Sequence, residues 1–304
     1  MKVLVTGVNG QVGYDVAREL HLRGHESVGV DVAEMDITDA AAVHRVILSV
    51  SPDAVVHCAA WTAVDAAENE ENIEQVWQVN AGGTANVAKA CKVIGCKMMY
   101  LSTDYVFDGR GDEAWKPDCK AYAPLSVYGR TKLEGELAVV SALENYFIVR
   151  ISWVFGIHGE NFVKTMLRLS EKHDSLRVVN DQIGTPTYTR DLARLLVDMI
   201  ETERYGYYHV TNEGGYLSWA EFAREIFRAA GRQVEVIPVT TEQYGVSKAR
   251  RPLNSRLDKS KLLACGFQHL PTWQDALARF LKELEEQDGT DSGNKSEDRW
   301  ALYH

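Results

Sequence analysis

The chain has 304 residues, 45% hydrophobic and 25% charged, with a formal net charge of −10. That composition is ordinary for a globular protein, while the acidic balance argues against a nucleic-acid binder, which needs a basic footprint. No apolar run approaches the ~20 residues of a membrane span, and the five scattered cysteines and nine histidines form no zinc pattern, so reduced thiols and a cytoplasmic location are expected.

The chain opens with MKVLVTGVNG, which turns glycine-rich too early for a signal peptide. Residues 2–7 read as a strand and 11–24 as an amphipathic helix closed by Gly24. A second strand follows at 26–31, then a helix at 39–50 with Asp39 as its N-cap. Strands at 53–60, 97–103 and 146–152 alternate with helices at 82–95 and 126–142. Strands spaced by such helices imply right-handed βαβ crossovers and a parallel sheet. The expected fold class is therefore α/β, a doubly wound parallel sheet of Rossmann type, with residues 1–152 as its dinucleotide-binding domain. The rhythm loosens after residue 153. Helices read at 160–172, 189–201, 217–231 and 275–287, and strands at 176–181 and 205–212; Ser218 and Glu221 have capping-box spacing. Residues 153–286 are expected to form a smaller, mixed substrate lobe with some segments completing the sheet. Residues 287–304 are polar and rich in Gly, Asp and Ser, the composition of a disordered tail.

The glycines of TGVNGQVG, Gly7, Gly10 and Gly13, lie between the first strand and the first helix. That placement suits a tight turn, a close approach to a diphosphate and close helix–strand packing. Gln11 and Val12 open the helix whose free N–H groups and dipole would meet the phosphates. Asp31 ends the second strand at close to the ~20-residue spacing of an acid that binds the adenosine ribose. A carboxylate there favours NAD and repels a 2′-phosphate. Asp36 and Ile37 are placed to flank adenine, and Ala59 and Ala60 let a cofactor pass close to the backbone.

Tyr128 and Lys132, in YGRTK, share one face of their helix at i, i+4. A carbonyl that accepts hydride becomes an alkoxide and needs a proton from a nearby acid. A phenol could supply it, and a neighbouring ammonium would lower the phenol's pKa. Lys132 could also reach the nicotinamide ribose, so both residues count as cofactor contacts as well. Thr103 ends the strand 97–103 on the same rim and would hydrogen-bond the reacting oxygen, with Asp104 and Tyr105 facing the substrate.

TGxxGxxG, a strand-end threonine and YxxxK together resemble the extended short-chain dehydrogenases/reductases. GQVG, AAWTAVDAAE, STDYVFDG, APLSVYGRTKLEGE, RISWVFG, NFVKTMLRL, NDQIGTPTYTRDLA and RPLNSRLD, in this order over residues 1 to about 285, more narrowly resemble the dTDP-4-dehydrorhamnose reductase family. The resemblance implies reduction of dTDP-6-deoxy-L-lyxo-4-hexulose to dTDP-L-rhamnose with NADPH or NADH, in the supply of bacterial surface polysaccharides. It implies Tyr128 as proton donor, Lys132 as its partner and Thr103 as the third catalytic group. Asp104 and Trp153 are implied sugar contacts, with Asn161, Gln182, Arg251, Asn254 and Ser255 as further substrate candidates toward the nucleotide. Some members of that family dimerise through a magnesium site built from glutamates, here matched only by Glu283, Glu285 and Glu286 on the last helix, and no metal is predicted from them. The chain is expected to be a monomer or a homodimer, with a dTDP-keto-deoxyhexose as its small-molecule partner.

Two other functions share these features. A nucleotide-sugar epimerase uses the same Thr/Tyr/Lys geometry with tightly held NAD and no net redox. A non-catalytic regulatory homologue resembling the methionine adenosyltransferase regulatory subunit would act by association. A dehydratase needs a second carboxylate after Asp104, where this chain has Tyr105.

Overall fold

The computed structural model describes residues 1–291. Five strands of the first half, β1 (Lys2–Thr6), β2 (Glu26–Val30), β3 (Ala54–His57), β4 (Lys97–Thr103) and β5 (Tyr146–Ile151), join an edge strand Gly206–His209 in one six-stranded sheet. The order is Gly206–His209, β5, β4, β3, β1, β2, with every pair parallel. Strand order therefore reverses at β1, where β2 lies on one side and β3 on the other. In an open α/β sheet a ligand crevice forms at the carboxyl ends beside such a switch point.

Alternation along the strands feeds two cores. Val3, Val5, Val56, Leu101 and Val149 pack with helices α1 (Gln11–Leu22) and, from much later in the chain, Leu192 and Leu196 of the helix Thr189–Ile200. Leu4, Val55, Met98, Tyr100 and Ile148 face the other layer, where α2 (Ala40–Val50) and α4 (Thr84–Ile94) contribute Val43, Ile47 and Val87 and α5 (Val127–Ala142) contributes Val139. Asp39 caps α2 through Ala41 N–H and Ala42 N–H, and Ser126 caps α5 through Gly129 N–H. A third core is built on Phe155, Val163, Phe222, Ile226, Trp273 and Phe280, all from beyond residue 152. The sheet thus takes an edge strand and a covering helix from beyond residue 152.

Two sequence readings need correction, and a helix was not read from the sequence. The strand expected over 53–60 ends at His57, after which the chain leaves the sheet. A helix α3 (Glu70–Trp77) runs through a wide π-type turn, Gln78–Gly83, into α4. At that turn Asn80 holds Trp61 through both its N–H and its carbonyl and donates to Thr131 Oγ1. The last helix, Trp273–Asp291, continues five residues past the boundary drawn at 286, so 287–291 are helical; the rest of the expected tail, 292–304, lies outside the described residues. No helix among the described residues is long and apolar enough to cross a membrane.

Beneath the carboxyl end of β4, Glu136 of α5 and Arg150 of β5 form a fully buried ion pair. Arg150 Nε and Nη2 donate to the two carboxylate oxygens at 2.8 and 2.7 Å, and Ser102 Oγ donates to Oε1 at 2.5 Å. Arg150→Met leaves the carboxylate buried without its cation, and a loss of about 3–5 kcal/mol is expected from urea unfolding. The double variant Glu136→Leu/Arg150→Met should recover most of it.

Candidate active site

A cleft of about 570 Å³ opens at the switch point, within the size range of small-molecule sites. Its floor is the glycine loop. Gly7 has φ +64°, and a Cβ there would come within 2.8 Å of Ala59 backbone atoms; one on Gly13 would lie 2.2 Å from the Gly7 carbonyl oxygen. Any side chain at either position would break the turn. Gly10 has no side chain to cap α1, which leaves the first N–H groups of that helix at the cleft wall with Gln11 and Val12. This is a cradle for an anion such as a diphosphate.

Asp31 sits at the tip of β2, its carboxylate accepting from Asn9 N–H at 3.2 Å and Val32 N–H at 2.8 Å. Asp36, Ile37, Ala59 and Ala60 line the cleft with Asp31 and the glycine loop, and the two other expected cofactor contacts, Tyr128 and Lys132, line it as well. The group they fit is a dinucleotide. Among the described residues lining the cleft, Lys132 is the one cation, and a ribose 2′-phosphate at β2 would meet Asp31 instead.

The far wall carries Thr103, Asp104, Tyr128, Lys132 and Trp153. Burial raises the Tyr128 phenol well above its ordinary value, although its hydrogen bond with Thr103 works the other way. The expected lowering by Lys132 is not found. Lys132 Nζ instead donates to the Leu101 carbonyl at 2.6 Å and lies 4.1 Å from the centre of the Tyr100 ring. Burial pushes this ammonium down to about 7, against the pull of Glu136 and Cys58. Tyr128 is thus held as a proton-bearing phenol.

Trp153 adopts φ +51°, a conformation uncommon for a bulky residue. Its neighbours hold it there: Thr187 N–H donates to its carbonyl at 3.0 Å and Thr187 Oγ1 to the Ser152 carbonyl at 2.6 Å. The indole stacks on Trp219 with centroids 3.7 Å apart. Gly184 allows the fit, since a Cβ there would lie 2.8 Å from the indole. Packed on one face, Trp153 still lines the cleft.

The other substrate candidates do not line the cleft. Asn161 caps the helix Phe162–Ser170 and donates to Gln11 and the Gly156 carbonyl. Gln182 donates to Thr241, and Asn254 is buried with its amide bonded to the Arg110 and Glu113 carbonyls. Arg251 pairs with Asp65 at 2.6 Å and with the Tyr105 hydroxyl at 3.1 Å. Ser255 donates to Asp104. Met35, Thr62, Val64, Val79 and Ser152 line the cleft without having been singled out from sequence; Thr62 and Val64 lie within AAWTAVDAAE, but Val79 reaches the cleft only through the π-type turn. On the last helix, the Glu283 carboxylate is taken up by Arg18 at 3.2 Å, Arg190 at 3.1 Å and the Tyr188 hydroxyl, and Glu285 and Glu286 are exposed.

A family model described as the RmlD substrate binding domain matches residues 1–286. A Streptomyces griseus protein named dTDP-4-dehydrorhamnose reductase is 40% identical over 287 residues, covering 92% of this chain and 93% of the relative. The spore coat polysaccharide biosynthesis protein SpsK of Bacillus subtilis (strain 168) is 38% identical over 282 residues, 93% of this chain and 97% of the relative. Among solved structures, the dTDP-4-dehydrorhamnose reductase of Bacillus anthracis in complex with NADP is 41% identical, with a TM-score of 0.88 over 93% of this chain and 100% of that one.

The placement of Asp31 predicts that Asp31→Ala weakens NADH binding relative to NADPH by about tenfold or more, the effect of losing a charged hydrogen bond worth about 1.5–3 kcal/mol. Titration of both cofactors into wild type and variant measures the ratio.

Proposed function

The chain belongs to the family of the RmlD substrate binding domain, and on that premise we propose that it reduces the 4-keto group of dTDP-4-dehydrorhamnose, dTDP-6-deoxy-L-lyxo-4-hexulose, to give dTDP-L-rhamnose with NADPH or NADH. The observation that carries this reading is the single cleft in which a diphosphate cradle and Thr103, Tyr128 and Lys132 face each other. Gly7, Gly10, Gln11, Val12, Gly13, Asp31, Asp36, Ile37, Ala59 and Ala60 would hold the dinucleotide, which when bound supplies a hydride. The remaining chemistry belongs to the chain. Tyr128, kept protonated by burial, gives its proton to the oxygen of the reduced ketone. Thr103 orients Tyr128, and Lys132 places a cation deep in the wall against the Leu101 carbonyl. Trp153 offers an apolar indole face to the C–H face of the hexose. All five cysteines are free thiols, which suits a cytoplasmic enzyme, as a monomer or homodimer.

Tyr128→Phe should lower kcat by about 10²–10⁴-fold, the usual contribution of a positioned general acid, and leave cofactor binding intact. A loss under tenfold in steady-state assays of NADH and NADPH oxidation with the keto sugar would remove Tyr128 from the role. If the wild-type protein instead carries NAD through purification and shows no net redox, the epimerase reading takes its place.

Trp153→Ala should raise KM for the sugar and lower kcat, because hydride transfer is intolerant of small misplacements. Its unfolding free energy should fall by less than the about 3–5 kcal/mol of a fully buried tryptophan, as thermal unfolding of the same variant will report.

A further inference from the structure

Asp104 is 2% exposed, and hydroxyl groups of the chain hold both of its carboxylate oxygens. Thr103 Oγ1 donates to Oδ1 at 3.1 Å, and Ser255 Oγ, from the RPLNSRLD segment, donates to Oδ2 at 2.5 Å. Thr103 has a single hydroxyl proton, and its oxygen also accepts Tyr105 N–H at 3.2 Å and is hydrogen-bonded with Tyr128. With Asp104 charged, the hydroxyl protons point from Tyr128 to Thr103 to Asp104. That direction leads away from any ketone in the cleft.

We propose that Asp104 is a positioning residue and proton reserve for Tyr128, acting through Thr103. Protonated, its O–H donates to Thr103 Oγ1, and the Thr103 proton turns toward the Tyr128 oxygen. The Tyr128 proton is then free to point into the cleft. The inference rests on the reductase reading above and adds the source of the proton.

The step balances as follows. A hydride from the reduced nicotinamide reaches the carbonyl carbon, and the π pair of the C=O bond moves to oxygen. The Tyr128 O–H bond breaks as the alcohol O–H forms. The Thr103 proton passes to the phenolate oxygen, and the Asp104 proton passes to Thr103. Asp104 is left as a carboxylate and takes a proton back from water before the next turnover.

The surroundings suit a carboxyl that changes state. Burial pushes Asp104 up to about 6, while the Ser255 and Thr103 hydrogen bonds favour its charged form. Tyr128 from α5 and Tyr105 from the turn after β4 face it; Arg251 and Asp65 lie beyond Tyr105. Among the described residues no cation acts on it. Because the protonated form is the productive one, the rate is full below this pKa and falls as pH rises through it.

Single-turnover reduction of the keto sugar, followed from about pH 5 to 8, tests the relay. Asp104→Asn keeps the shape but has no proton to give, so at the acid end it should lose about tenfold to a hundredfold in the reduction step, with KM little changed and the limb near 6 abolished. Ser255→Ala removes a hydrogen bond that favours the charged form and should move the limb to higher pH. Infrared titration of the cofactor-free protein follows the carboxyl band without turnover. The band should titrate near 6 in wild type, vanish in Asp104→Asn and shift upward in Ser255→Ala. A limb unchanged in Asp104→Asn, or no such carboxyl band, overturns the relay while wild-type turnover leaves the reductase reading standing. No reduction by the wild type at any pH ends both.

Discussion

The Glu136 carboxylate and the Arg150 guanidinium face each other with neither side chain in contact with water. Such a pair is no guarantee of net stability, since the cost of dehydrating both ions offsets much of their attraction. Its importance here is geometric. Arg150 stands on the sheet between Ser102 and His209, its register partners on the two adjoining strands. Glu136 stands on α5, one turn beyond Lys132 and two beyond Tyr128. The pair fixes the height and rotation of the helix over the strand that ends in Thr103. His209 accepts from Arg150 through Nε2 and donates from Nδ1 to the Trp115 carbonyl at 3.0 Å, and burial holds it neutral. The guanidinium is therefore braced from every side, and the tyrosine and threonine above it inherit that rigidity.

Residues from beyond position 180 complete the wall by reaching back across the chain. Ser255 fastens Asp104, Arg251 fastens Tyr105, and Thr187 fastens Ser152 and Trp153. The strained backbone at Trp153 persists because these bonds over-determine it, as at other sites where an unusual φ sets a side chain's direction. A substrate that enters the cleft therefore meets groups whose orientation is set by both halves of the chain at once.

The parts of this arrangement legible in the sequence are those set by neighbours. The glycine spacing, the Asp39 cap, the Ser218–Glu221 capping box and the i, i+4 placement of Tyr128 and Lys132 all involve residues a few positions apart. What stayed hidden depends on distant partners. Lys132 was expected beside the phenol, but the Leu101 carbonyl lies closer to the end of its side chain. Asp104 lines the cleft, and nothing near it in the sequence announces that Ser255, 151 residues away, holds its carboxylate. The π-type turn that brings Val79 to the cleft has no local signature, because Asn80 is positioned by Trp61 and Thr131 rather than by its own helix. Local rules fix the elements, and the bonds that cross between them fix the site.

One physical effect runs through the whole wall. Burial disfavours charge, and here it raises Tyr128 and Asp104 and lowers Lys132 and His57, the last to about 3. Burial thus works against charge on the acids and the bases alike, and the wall is well supplied with O–H groups. A dinucleotide diphosphate brings negative charge into this setting. With one lysine lining the cleft, its binding must rest mainly on the N–H groups at the start of α1, which carry no titratable proton and hold across the pH range. Cofactor affinity and proton delivery then depend on separate groups. The glycine loop can grip an anion at any pH, while the chemistry answers to the protonation of the far wall. That division follows from where the chain places its groups: uncapped helix N–H groups at the glycine loop, and buried titratable side chains on the far wall.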